Sequence, residues 1–82
     1  MSEADARIRK RSVLLHGHAT SVSLEAAFWR ALTVAATEQN ISLNRLIAEV
    51  DRTRQGNLSS ALRLYVLDRL ARRTAVSASA DP

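Results

Sequence analysis

A mostly α fold carrying one short β-ribbon is the architecture this 82-residue chain predicts. Three observations lead there. Thr20 to Leu24 alternates polar and apolar side chains, with Val22 and Leu24 on one face and Ser21 and Ser23 on the other, the period of two of a half-buried strand. Everything after it repeats its apolar residues at helical spacing. The chain has no cysteine, so a core too small to be secure on its own has no disulfide or cysteine-zinc support and favours dimerisation.

One strand cannot satisfy its own backbone N–H and C=O groups, so it needs a mate. Ser12 to Leu15 is apolar enough to be strand. It either folds back through a His16-Gly17-His18-Ala19 loop, or continues into one longer strand with a bulge at Gly17. No Asn-Gly or Asp-Gly signals a tight turn, which favours the longer strand. Its mate then comes from a second copy of the chain, giving an intertwined homodimer with an intersubunit antiparallel ribbon.

Helix one takes Ser23 as N-cap and Glu25 in its first turn. Leu24, Phe28, Leu32 and Ala35 form its stripe, and Trp29 seals the edge. Asn40 tolerates the left-handed conformation just past a helix end, so the helix stops near Gln39. Helix two starts at Ser42, buries Leu43, Leu46, Ile47 and Val50, and is broken by Gln55-Gly56-Asn57. Helix three is capped by Asn57 or Ser59 and ends near Arg72 and Arg73, cations suited to a C-terminus. Leu58, Leu64 and Leu67 widen its apolar surface beyond one stripe, as in a helix packed against two neighbours. The predicted organisation is a basic arm over 1–11, a folded domain over 12–73 and a disordered tail over 74–82.

The formal net charge is +4, and eleven of the twelve basic residues are Arg, whose planar fork suits phosphates and guanine edges. Arg7, Arg9, Lys10 and Arg11 crowd together immediately before the strand region. They are either a solvated arm or one that follows a phosphate backbone. No apolar run approaches the roughly 20 residues of a membrane span, so a soluble, cytoplasmic protein is expected. His16 and His18, with no cysteine nearby, are a weak metal signal, and phosphate-facing histidines explain them better. No nucleophile, paired-carboxylate or Gly-rich phosphate pattern exists, so no catalytic residue, metal or cofactor is expected.

Strand, helix, a turn carrying Asn40-Ile41-Ser42, then a second helix resembles the ribbon-helix-helix DNA-binding family. Thr20 to Leu24 is similar to its ribbon strand. Leu24, Phe28, Leu32 and Ala35 match its first-helix core, and Leu46, Ile47 and Val50 its second. Lys10-Arg11-Ser12-Val13, Gly17-His18, Phe28-Trp29 and Gly56 to Arg63 resemble a group of short bacterial members. The resemblance implies a ribbon-helix-helix fold with an additional C-terminal helix, whose dimer core holds Val22, Leu24, Phe28, Leu32, Leu46 and Ile47.

It further implies a homodimer that binds double-stranded DNA, its ribbon in the major groove, and acts as a transcriptional regulator. Ala19, Ser21 and Ser23 then face base edges, with Arg11 and His18 as longer readers from upstream. The amides of Ser42, Leu43 and Asn44 at the start of helix two, with Arg45 beside them and Arg9 and Lys10 in the arm, would meet phosphates. The alternative is the antitoxin of a toxin–antitoxin pair, with helix three binding a protein partner.

Overall fold

A computed structural model describes residues 2–80. The strand expected at Thr20 to Leu24 is present, and its mate is the segment just before it. The elements run α1 (Glu3–Ala6), β1 (Ile8–Leu15), β2 (His18–Glu25), α2 (Ala26–Glu38), α3 (Leu43–Thr53) and α4 (Leu58–Ala80). β1 and β2 pair antiparallel from Leu15↔His18 to Ile8↔Glu25.

This corrects the expectation of one long strand bulged at Gly17. His16 and Gly17 form a two-residue turn, both with positive φ, 51° and 82°. That is the backbone a tight hairpin requires. His tolerates the left-handed region better than most residues, so it stands where Asn or Asp is usual. The basic cluster is corrected with it: Arg9, Lys10 and Arg11, expected in a flexible arm, are residues of β1.

One face of the hairpin is covered by helices and the other is bare. Val13, Leu15, Val22 and Leu24 point inward and are buried with Leu32, Ala35, Ala36, Leu46, Ile47, Leu58, Leu62 and Val66. α3 packs on the β1 side and α4 on the β2 side. Trp29, expected at the edge of helix one, is 2% exposed and central to this core. Its indole N–H donates to the Arg9 carbonyl at 2.9 Å, which removes the cost of burying it. Phe28, one position round the helix, is only half-buried.

The helix ends explain themselves locally. β2 runs through Glu25, so Ser23 is a strand residue and not the N-cap of α2. Asn40 is left-handed at φ 60°. There the amides of Asn40 and Ile41 donate to the carbonyls of Thr37 and Ala36, a paired C-cap that turns the chain toward α3. Ser42 caps α3, accepting from the Arg45 amide at 3.0 Å. Asn57 caps α4, accepting from the Ser60 amide at 2.8 Å. α4 continues beyond Arg73 to Ala80, where a disordered tail from residue 74 was expected. Of that tail, residues 81 and 82 lie outside the described residues.

Ion pairs tie the N-terminal elements to the helices. Asp5 pairs with Arg30, and Glu25 at the end of β2 pairs with Arg63 of α4 at 2.9 Å. The Arg30 guanidinium, first of all, holds the Asp5 carboxyl below its ordinary value. The Glu25 carboxyl is lowered by its own backbone N–H and then by Arg63. A carboxylate with a depressed folded pKa stabilises the fold above its unfolded pKa, and that contribution disappears as pH falls through the folded value. Urea titrations should therefore show stability falling as the pH drops below the ordinary glutamate value of 4.5. Glu25→Gln should lose part of that dependence. A slope identical to wild type would show that the Glu25–Arg63 pair contributes nothing.

Candidate nucleic-acid interface

Residues that face each other across an antiparallel pair share a face of the sheet. Lys10↔Ser23, Ser12↔Ser21 and Leu14↔Ala19 therefore form one row of neighbours. All six are exposed on the face turned away from the helices. Ala19, Ser21 and Ser23 lie together there, as expected. Lys10, expected among the phosphate contacts, is the long cationic side chain of that same face. Ser12 joins them unanticipated, although its alternation with Val13 was visible in the sequence.

Arg11 and His18 are not on that face. Arg11 pairs with Val22 and His18 with Leu15, so both belong to the helix-facing row. The Arg11 guanidinium lies over the Trp29 ring, 5.1 Å from its centroid. Arg9 shares the same row, opposite Leu24. Arg9, Arg11 and Arg30 line a cleft of about 310 Å³ with Trp29 as its floor. Arg11 is in position to cover an indole, and the long cation of the outer face is Lys10.

Charge is concentrated on the same strand. Among the described residues, Arg7, Arg9, Lys10, Arg11 and Arg52 are the Lys and Arg side chains with no carboxylate partner. Four of these five lie in or beside the first half of β1. Arg45, expected at phosphates, pairs with Glu49 at 3.5 Å. His16 Nε2 lies 3.2 Å from Asp51, which also accepts from Arg54 at 2.7 Å. Among the described residues no three His, Cys, Asp or Glu side chains converge as metal ligands do.

The start of α3 is anchored to the edge of β1. The Asn44 side chain accepts from the Leu14 N–H and donates to the Leu14 carbonyl, both at 2.8 Å. The Asn44 side chain is thus committed to the strand. The backbone amides of Leu43 and Asn44 have no acceptor among the described residues, and they sit beside β1.

That double bond also identifies the edges. Backbone groups turned away from the partner strand recur every second residue. They belong to Ile8, Lys10, Ser12 and Leu14 on β1 and to Ala19, Ser21 and Ser23 on β2. β2 has no second neighbour strand among the described residues, although the Ser59 hydroxyl reaches the Ser23 carbonyl at 3.4 Å. On the α4 side an open apolar groove of about 580 Å³ is lined by Phe28, Ala31, Leu64, Leu67 and Leu70. Five of the six residues expected in a dimer core are buried within one chain; only Phe28 faces this groove.

The model of the ribbon-helix-helix domain matches residues 8–70, which include both strands and most of α4. The chain belongs to the ribbon-helix-helix family. Domains of this family are generally DNA-binding transcription regulators or antitoxins, typically homodimeric and non-enzymatic. Among solved structures, this ribbon-helix-helix chain is similar to an uncharacterized protein from Bordetella pertussis Tohama I, with a TM-score of 0.82 and 28% sequence identity. The match covers 92% of this chain and 65% of that protein, so the chain spans less than two thirds of its length. No curated protein matches the sequence significantly. No helix among the described residues is long and apolar enough to cross a membrane.

The placement of Arg11 over Trp29, the one tryptophan of the chain, has a direct readout. Arg11→Ala should shift the Trp29 emission to longer wavelength as water reaches the ring. It should also destabilise the fold by about 0.5–1 kcal/mol, the size of an exposed cation–π contact. An unchanged spectrum would contradict the cover.

Proposed function

We propose that the protein is a homodimeric transcriptional regulator that binds double-stranded DNA in a sequence-dependent manner through the bare face of its sheet. One observation carries the reading. The outer row of Lys10, Ser12, Leu14, Ala19, Ser21 and Ser23 is uncovered and contains no acidic side chain. The one acid of the hairpin, Glu25, is held by Arg63. An uncovered ribbon with short polar side chains suits base edges in a major groove, and an unpaired cation supplies sequence-independent attraction. Leu43 and Asn44 amides at the start of α3, with the Ser42 hydroxyl and Arg45, suit phosphates that position the ribbon.

The partner copy has two places to engage, both on the α4 side. The free edge of β2 offers unpaired backbone groups, and a charge-free stretch from Ala19 to Leu24 favours strand pairing there. Leu64, Leu67 and Leu70 are 61%, 62% and 54% exposed, an apolar row that a second copy removes from water. The same row is what favours the antitoxin reading, in which another protein fills the groove. A protein that is already a stable dimer with this groove closed leaves that reading without a docking surface.

Gel-shift titrations against genomic fragments at low and moderate salt test the proposal. Retardation should be clear at low salt and persist for a subset of fragments as salt rises. No retardation at either salt would overturn it. In parallel, Val22→Asp should abolish the folded state, because its carboxylate would be buried among Val13, Leu24 and the helices, and pairing it with Arg11 on the opposite strand would pull that guanidinium off Trp29. A stable folded variant would contradict the hairpin as the base of the site.

A further inference from the structure

The two edges of the hairpin are chemically different. β1 carries Arg9, Lys10 and Arg11, and its edge is already bonded at Leu14 by Asn44. Two β1 strands laid side by side would set these cations against each other, which opposes pairing. β2 carries no charged side chain from Ala19 to Leu24, and its edge groups at Ala19 and Ser21 are open. In the dimer proposed above, on which this inference rests, β2 therefore pairs with β2 of the second copy. The sheet then has four strands, with β1 of each chain on the outside.

Such a sheet is wider than the groove it faces. Strands about 4.8 Å apart set the two β1 axes about 14 Å from each other. The B-DNA major groove is about 12 Å wide and admits a two-stranded ribbon. Twist of about 20–25° per strand swings the outer strands further out of line with the inner pair.

We propose that only the central β2 pair enters the major groove, and that β1 rides on its walls. Ala19, Ser21 and Ser23 then face bases, whereas Lys10 and Ser12 face the phosphates that border the groove. Two features of β1 suit that place. Lys10 is the long cation of the outer face and has no carboxylate partner among the described residues. The start of α3, with its open amides, is tied to the same strand at Leu14. Leu14 itself offers only an apolar surface and has no part in holding phosphate. The consequence is a division of labour: Lys10 supplies affinity without discrimination, and discrimination rests on small β2 side chains. Ser bonds to several bases, so each such contact is permissive.

Fluorescence anisotropy with short duplexes of unrelated sequence, from about 50 to about 200 mM salt, tests this division. Lys10→Gln should weaken every duplex by the same factor. It should also reduce the salt slope by about two per dimer, one phosphate for each chain. Ser21→Ala should change the ranking of the duplexes and leave the slope unchanged. A Lys10→Gln protein that re-ranks the duplexes at an unchanged slope would make Lys10 a base reader and overturn the proposal. An unaltered affinity in that variant, or an unaltered ranking in Ser21→Ala, would overturn it equally. If the wild-type protein retains no duplex at low salt, the DNA-binding reading itself fails and this assignment falls with it. Circular dichroism of both variants, whose substitutions lie on exposed positions, confirms that the fold is intact.

Discussion

The turn at His16 and Gly17 decides which residue of β1 stands opposite which residue of β2, and through that pairing it decides the two faces of the molecule. A shift of one residue would exchange the faces of a strand entirely. With Leu15 opposite His18, the inner row gathers Val13, Leu15, Val22 and Leu24 under the helices, and the outer row gathers Lys10, Ser12, Ser21 and Ser23 in the open. Burial on the inner side makes every other register costly, because it would put Lys10 and the serines into the core. Asn44 reinforces the choice by bonding both backbone groups of Leu14, which ties the start of α3 to the same register.

The helical part of this fold was legible because its signals are local. Asn40 in the left-handed region, Ser42 accepting from the Arg45 amide and Gly56 as a break each act within a few residues. So does the alternation in Thr20 to Leu24. Of the first strand only Ser12 to Leu15 was legible, and the reason lies in the composition of the half before it. The strand's inner row begins with Arg9 and Arg11, and its outer row contains Ile8 and Leu14. Read as a pattern, the first half of β1 is a basic arm, with no alternation of polar and apolar residues to reveal a strand. The two arginines occupy inward positions beside Trp29, whose ring is covered by the Arg11 guanidinium and is a platform suited to it. That contact joins residues eighteen positions apart and leaves no trace in local spacing. For the same reason Arg11 read as a base-contacting side chain when it faces the helices, and Lys10 read as one cation among several when it alone of the long basic residues faces outward.

The charge distribution gives the bare face its character. Most cations on the helices are matched by acids: Arg63 by Glu25, Arg54 by Asp51, and Arg69 and Arg73 by Glu38. These pairs neutralise the helical side and leave the excess positive charge along β1. A field of that form attracts polyanions to one side of the molecule and not to the other. The apolar row on α4 is set apart from it, on the side where the edge of β2 is free. The proposed nucleic-acid face and the proposed dimer edge meet along β2, whereas the apolar row on α4 lies apart from the charged strand.

The central claim is that the free edge of β2 is where two copies join, leaving β1 outermost. The absence of native cysteine allows this to be read by cross-linking. Single cysteines at Ala19, Ser21 or Ser23 on β2, and at Lys10 or Ser12 on β1, are oxidised mildly and the products resolved without reductant. A disulfide-linked dimer should form efficiently from at least one β2 position, near the two-fold axis, and from neither β1 position, since the outer strands are too far apart to bridge. Efficient linkage through β1 with none through β2 would place β1 at the centre of the sheet and contradict the account.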